Sequence, residues 1–383
     1  MKVIVLGGDG YLGWPQSCFL AARGHDVLAV DNFNRRKYHL ELGSDSLTPI
    51  QSMEQRIESW TGGGGKAIDF AFGDICDWDF IKSLIKDFAP DAIVHYGELP
   101  SAPYSMIDRN HAVFSQHNNV VGTLNVLWAI KEFVPDCHLV KLGTLGEYGT
   151  PNIDIEEGYF EIEHKGRKDT LPFPKQPPSF YHLSKVHDSN NIMFACKIWG
   201  LKATDLNQGV VYGIETEETS GNQELITRFD YDGVFGTALN RFCVQAVHGM
   251  PLTVYGKGGQ KRGFINIRDT MRCIEIALEN PPEGGKMRVF NQCTEWFSIQ
   301  EMANKVKEAA KQLSIDVEIQ NIENPRVEAA EHYFNPIHTK LESLGLEPHL
   351  LDKTLVESML KIIKSYKDNV REEYILPKVK WGR

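Results

Sequence analysis

Near the start of the chain, Val3-Ile-Val-Leu6 runs straight into Gly7-Gly8-Asp9-Gly10-Tyr11-Leu12-Gly13, and a helical pattern begins at Trp14. A strand-sized apolar run, a turn with glycines at both GxGxxG and GxxGxxG spacing, and a helix leave few alternatives for what they build. The glycines permit a tight turn, close backbone approach to a pyrophosphate, and contact between helix and strand. The helix N-terminus then offers amide donors and the positive end of its dipole. Asp26-Val-Leu-Ala-Val30 reads as the next strand, and Asp31 at its end lies 31 − 10 = 21 residues beyond Gly10. That is the separation at which an acid meets the ribose hydroxyls of a dinucleotide.

Further strands are expected at Ala67–Phe72, Ala92–His95 and His138–Leu142, separated by helices at Trp78–Phe88 and Val113–Phe133. Strands alternating with helices predict an α/β fold, a Rossmann-type doubly wound parallel sheet. Residues 34–66 read as a long connection, with Gly62 to Gly65 in a loop. After about residue 206 the rhythm changes. A charged insertion (Glu215–Asp232) precedes a helix (Phe235–Val247), a strand (Leu252–Tyr255), a Gly-rich hairpin (Gly256–Gly259) and a helix (Thr270–Glu279), and a last amphipathic helix lies around Leu355–Tyr366. This predicts a dinucleotide-binding domain over 1–206 and a smaller mixed α/β substrate-binding lobe over 207–383. The segment around 236–270 is expected to return to the first domain.

With 41 Lys+Arg against 51 Asp+Glu, the net charge is −10. A nucleic-acid partner is therefore not expected, since it calls for a basic face. Apolar runs are strand-sized, short of the roughly 20 residues a membrane span needs, and strand-like sequence from Lys2 leaves no room for a leader. Seven cysteines, no two closer than 20 residues, allow neither a zinc cluster nor a CxxC pair and imply a reducing, cytoplasmic location with no metal site.

Asp31 with Asn32 favours NAD as cofactor, although Arg35 and Arg36 could accommodate the phosphate of NADP. Gly7, Gly8, Asp9, Gly10, Tyr11, Leu12 and Gly13 form the expected cofactor turn. Asp74-Ile75 follows the third strand, where the Asp either reaches the adenine or caps a helix. His95-Tyr96-Gly97 ends the fourth strand at the crevice where ligands bind in such sheets. Tyr181-His-Leu-Ser-Lys185 is the second anchor, because residues four apart share a helix face. A lysine beside a phenol favours the phenolate, which makes Tyr181 a candidate base. Thr144, ending the fifth strand, is placed to hold the same substrate oxygen.

Together these motifs resemble the extended short-chain dehydrogenase/reductases that act on nucleotide sugars, the NAD-dependent epimerase/dehydratase family. Asn119-Val-Val-Gly-Thr123, Asn207-Gln-Gly-Val-Val-Tyr-Gly213, and Arg262 with Asp269 carry further parts of that likeness. Ser101–Arg109, Lys141–Gly158, Ser179–Asp188 and Asn324-Pro-Arg-Val-Glu328 are similar to a branch that forms a sulfonated sugar nucleotide from UDP-glucose and sulfite. The resemblance implies oxidation at C4 by tightly bound NAD, loss of water across C5–C6, sulfite addition at C6 and return of the hydride. A UDP-sugar 4-epimerase or 4,6-dehydratase is the alternative within the family.

Dehydratases of the family carry an Asp-Glu pair directly after the threonine. Here Leu145 and Gly146 stand there, and the carboxylate arrives at Glu147. His182 or Glu147 is expected as the C5 base. The resemblance implies Arg262 and Arg326 as diphosphate ligands and Glu328 as acceptor from the uridine ribose. Ser101, Tyr104, Asn207, Gln208, Arg241 and Thr253 are further substrate candidates, and Asn119, Gln208 and Val211 are cofactor candidates. Leu99-Pro100 departs from the Gln-Arg of plant relatives, which leaves the sugar contact on that side open. A homodimer through the helices Val113–Phe133 and Tyr181–Trp199 is also implied. Sulfite arriving free and sulfite arriving from a sulfite-donating protein partner both remain open.

Overall fold

A computed structural model describes residues 1–381. Four successive buried residues make β1 (Lys2–Leu6) a strand covered on both faces, and it takes an interior place in a seven-stranded parallel sheet. It is followed by α1 (Gly13–Ala22), β2 (Asp26–Asp31), α2 (Asn34–Leu42), α3 (Met53–Gly62), β3 (Ile68–Phe72), α4 (Trp78–Phe88) and β4 (Ala92–His95). Next come α5 (Arg109–Gln116) and α6 (Gly122–Phe133), then β5 (His138–Thr144), an outlying hairpin of β6 (Tyr159–His164) and β7 (Arg167–Pro172), α7 (Phe180–Trp199), β8 (Lys202–Gln208) and β9 (Val210–Tyr212). The second half holds α8 (Ala238–His248), β10 (Leu252–Tyr255), β11 (Lys261–Asn266), α9 (Ile267–Glu279), β12 (Met287–Gln292), β13 (Glu295–Ser298), α10 (Ile299–Gln312), β14 (Ile319–Ile322), α11 (Thr339–Ser343), α12 (Lys353–Ser365) and α13 (Glu372–Ile375).

Strand order in the main sheet is β12-β8-β5-β4-β1-β2-β3. The chain builds outward from β1 through β3, then crosses to β4 and builds the other way. The order therefore reverses between β1 and β4, and a crevice opens outside their carboxyl ends. One face of the sheet buries Val3, Val5, Trp14 and Phe19 with Ile274 and Phe290. The other buries Ile4, Leu6 and Ile93 with Val126, Ile130 and Ile192. A separate core of Phe229, Phe242, Met302, Met359 and Leu360 supports the second lobe.

The structure departs from the sequence expectation in several elements. Residues 34–66 are not one loop but contain α2 and α3, and α3 starts at a capping box between Ser52 and Gln55. The helix expected at Val113 begins at Arg109, and a π-helical turn at His117–Val121 joins α5 to α6 without a break. Gly256–Gly259 closes no hairpin: β10 pairs with β14, whereas β11 pairs with β9 and β13. Of the stretch around 236–270, α8 and β10 contribute Phe242, Val244 and Val254 to the second core. The chain rejoins the sheet lobe at α9 and at β12, which pairs with β8. All seven cysteines are free, and no helix among the described residues is long and apolar enough to cross a membrane.

Candidate active site

A cavity of about 640 Å³ follows the switch point and runs beneath the second lobe. Its floor is the glycine turn. Gly7 sits at φ +85°, and a Cβ there would lie 2.7 Å from the carbonyl of Tyr96. A Cβ at Gly13 would meet the Gly7 carbonyl carbon at 2.7 Å. Only glycine therefore lets the N-terminus of α1 close onto the turn and leave backbone exposed to a ligand. Gly7 and Gly8 both donate to the Val30 carbonyl, at 2.8 and 2.9 Å. Gly7, Gly10, Tyr11, Leu12, Gly13, Asp31, Asn32, Arg35, Ile75, Tyr96, Gly97, Gln208 and Val211 line this part.

Asp31 accepts from the Phe33 amide (2.7 Å) and the Asp9 amide (2.9 Å). Burial, then the Asp9 carboxylate, push its carboxyl up to about 6. Each oxygen keeps a lone pair for a ribose hydroxyl. Several expected cofactor residues are committed elsewhere. Asp9 is 1% exposed and takes Arg36 through both oxygens, each at 2.7 Å. Arg35 pairs with Asp230 at 2.6 Å and stacks on Phe235. With both arginines engaged, the acid-led NAD site stands and a 2′-phosphate finds no free cation at Arg35 or Arg36. Asp74 lies outside the cavity, accepting from Asn32 (2.9 Å) and the Cys76 amide (2.8 Å), and the cap of α4 is Asp77 instead. Asn119 is fully buried and clamps both backbone groups of Leu99. The glycine cradle and Asp31 fit a dinucleotide.

Across the cavity, Tyr181 on α7 and Thr144 at the end of β5 both line the wall. Burial raises the Tyr181 phenol well above its ordinary value, and the chief opposing charge is Lys141, not the expected Lys185. Lys185 donates to the Leu142 carbonyl at 2.7 Å and touches the buried Glu98 carboxylate. Lys141 is fully buried in β5. Burial alone would strip its proton, but Asp205 and Glu147 hold it.

His182 lines the cavity. Its Nδ1 is bonded to Ser179, the N-cap of α7, at 2.8 Å. Burial, then Arg326 and Arg262, pull the ring down to about 3, so it is neutral. Gly146 makes room for it, since a Cβ there would fall on the imidazole. Glu147 is different: it is fully buried and absent from the cavity wall. Burial pushes its carboxyl up, yet Lys141 and Lys175 outweigh that and hold it below the usual carboxylate range. Its remaining bonds come from Ser189 (3.1 Å) and the Thr144 amide (3.3 Å).

The far end of the cavity is cationic, lined by Arg241, Lys261, Arg262 and Arg326. Arg241 is fixed by Tyr255 (2.7 Å) and the Thr253 carbonyl (3.0 Å). Arg262 pairs with Glu328, which Asn324 also bonds at 3.1 Å. Arg326 lies over Trp381, 5.1 Å from the ring centre. Ser101 lines the wall and donates to the Val234 carbonyl at 2.7 Å.

Three expected substrate residues stand back from this cavity. Thr253 spends its hydroxyl on Gln245 (2.8 Å), Asn207 donates to Tyr148 (2.6 Å), and Tyr104 donates to Glu41 (3.0 Å). Sequence reasoning missed Glu98, Lys141, Tyr38, Arg228, Asp230 and Phe235. A lysine inside the apolar run His138–Leu142 is a readable signal. Those at 228–235 are not, because no motif marks them in and after the charged insertion Glu215–Asp232.

The model of the NAD dependent epimerase/dehydratase family matches residues 3–293. A chloroplastic UDP-sulfoquinovose synthase of Spinacia oleracea is 60% identical over 382 residues, covering 100% of this chain and 79% of that one. A UDP-sulfoquinovose synthase of Sulfolobus acidocaldarius is 46% identical over 386 residues, covering 100% and 98%. A UDP-glucose 4-epimerase from Bifidobacterium longum, solved with NAD+ and UDP, superposes with a TM-score of 0.70 at 18% identity, over 98% of this chain and 100% of that one. That likeness concerns the fold alone. With a family model over most of its length and two full-length relatives of one name, the chain belongs to the NAD-dependent epimerase/dehydratase family, in the branch of the UDP-sulfoquinovose synthases.

Proposed function

We propose that the chain makes UDP-sulfoquinovose from UDP-glucose and sulfite within this one cavity. The observation that carries the reading is the neutral His182 ring beside Tyr181, in space vacated by Gly146. NAD held on the glycine turn and Asp31 supplies the acceptor, and later the donor, of the C4 hydride. Tyr181 takes the C4 hydroxyl proton while Thr144 holds the same oxygen. The resulting 4-ketone acidifies the C5 hydrogen, and His182 removes it through Nε2, because Nδ1 is occupied by Ser179. That proton leaves with the C6 hydroxyl as water.

Bisulfite then adds through sulfur to C6, and its proton reaches C5 by way of His182. Finally Tyr181 returns its proton as C4 is reduced. One bisulfite is consumed and one water released, with no net oxidant. Leu145 and Gly146 keep carboxylates away from the entering anion. One at 4 Å would oppose it by ~4 kcal/mol at an effective dielectric of 20. Arg262 and Arg326 suit a diphosphate, which guanidinium groups bind through paired hydrogen bonds.

Incubation with UDP-glucose, with and without sulfite, followed by mass analysis, tests the proposal. A product carrying the sulfonate supports it; UDP-galactose or a 4-keto-6-deoxy sugar sinks it. Tyr181→Phe is expected to abolish turnover with NAD still bound. In D2O, His182→Gln should end label uptake at C5. Turnover with free sulfite alone separates free uptake from delivery by a protein partner. Val113, Trp128, Phe180, Phe194 and Ile198 are 42–60% exposed on α5, α6 and α7. These apolar residues support a homodimer, checked by mass in solution. Seven free cysteines suit a cytoplasmic setting.

A further inference from the structure

Residues 213–237, between β9 and α8, lie across the glycine turn as a strap. Tyr11 donates its hydroxyl to the Gly213 carbonyl and accepts from Thr227 at its own carbonyl, both at 2.7 Å. Trp14 donates to the Leu225 carbonyl (3.0 Å), Arg56 to the Ile226 carbonyl (2.9 Å), and the Leu47 amide to the Phe229 carbonyl (2.9 Å). These bonds leave Arg228 little freedom. It is 2% exposed and is among the residues lining the large cavity, together with Gly7, Gly10, Tyr11 and Asp31.

Among the described residues, no carboxylate lies within hydrogen-bond distance of the Arg228 guanidinium. Its Nη2 comes only within 3.7 Å of Asp9, whose two oxygens already take Arg36 at 2.7 Å, with Arg56 at 3.3 Å. Both Nε and Nη2 are buried without a hydrogen-bond partner. Arg35, Arg36, Arg56 and Arg228 stand here with Asp9, Asp31, Asp230 and Asp232, and the nearer acids are committed: Asp9 to Arg36, Asp230 to Arg35. An arginine cannot shed its charge, and a buried cation without a partner is costly. What the guanidinium lacks is an acceptor within hydrogen-bond reach, which an anionic ligand would supply, and the adjoining backbone cradle selects a diphosphate.

We propose that Arg228 is the cationic ligand of the dinucleotide's diphosphate, carried by the strap, and that it keeps NAD bound from one turnover to the next. The test uses the full-chain holoenzyme. Bound NAD is measured after gel filtration, its release rate on dilution is followed, and it is displaced with ADP-ribose or with adenosine. Arg228→Gln is expected to speed release by about tenfold or more, since a charge-assisted contact to phosphate is lost. The native preference for ADP-ribose over adenosine as displacer should shrink by a similar factor. Unchanged release overturns the proposal. So does faster release with the displacer preference intact, which would make Arg228 a packing residue acting through Asp9. If the Gln variant does not fold, Arg228→Met, neutral and of similar length, carries the test: reduced ADP-ribose preference supports the assignment and native preference overturns it.

Discussion

Gly146 and His182 compete for one volume. In dehydratases of the family that turn carries acids; here it carries Leu145 and a glycine with nothing past Cα, and an imidazole from α7 fills the glycine's place. Gly146→Ala should displace the ring, because its Cβ would lie 3.3 Å even from Cε1. Label uptake at C5 should then fall sharply while NAD content stays as in the parent. Glu147 tests the opposite role. Replacing it by Gln takes the carboxylate from Lys175 and leaves Lys141 to Asp205, and removing one partner of a buried pair costs up to about 3–5 kcal/mol. Urea unfolding should therefore show a large stability loss in Glu147→Gln and little in His182→Gln. Of the two bases expected from sequence, spacing could not choose. Only burial and partners separate a ring on the cavity wall from a carboxylate behind it.

Among the elements, α10 shows how local sequence fixes an end. Ser298 accepts from the Glu301 amide (3.1 Å) while Glu301 accepts from the Ser298 amide (2.7 Å). Ser298→Ala should cost about 1 kcal/mol, read as a lower denaturation midpoint with unchanged slope. The strands from β1 to β5 were legible because buried parallel strands are short apolar runs between helices. The Gln form of that capping box, Ser52-x-x-Gln55 before α3, was present but hidden by the polar, glycine-rich stretch around it. The β6–β7 hairpin carries mostly polar, exposed positions, and its alternation is confined to Phe160-Glu-Ile-Glu163, too short a run to announce it. The strap was illegible for another reason: Arg36, Arg56 and Arg228 converge on Asp9 from three distant segments, and no local pattern encodes that meeting.

At the scale of the whole molecule, acid acts through buried imidazoles. Burial above all brings His95, His138 and His182 from 6.5 to about 3. Below 6.5 the unfolded chain takes protons that the folded chain refuses. The stability each histidine gives is thus present above about 6.5 and lost as pH falls toward 3. Asp31 and Asp188, raised by burial to about 6 and about 7, work in the other direction. His138 is remote from the cavity and bonded to Thr204 at 2.9 Å. His138→Gln should flatten the slope of unfolding free energy against pH, between about 6 and 4, by ~1.4 kcal/mol per unit.

The strap has a consequence in time as well as in affinity. It is tied at once to the turn at Tyr11, to α1, to α3 and to residues near 47, so its seat cannot be vacated one bond at a time. Protein stripped of dinucleotide should recover activity in a slow first-order phase whose rate levels off as NAD is raised. Such a chain would behave as a hysteretic catalyst, its output recording the coenzyme supply of some while before.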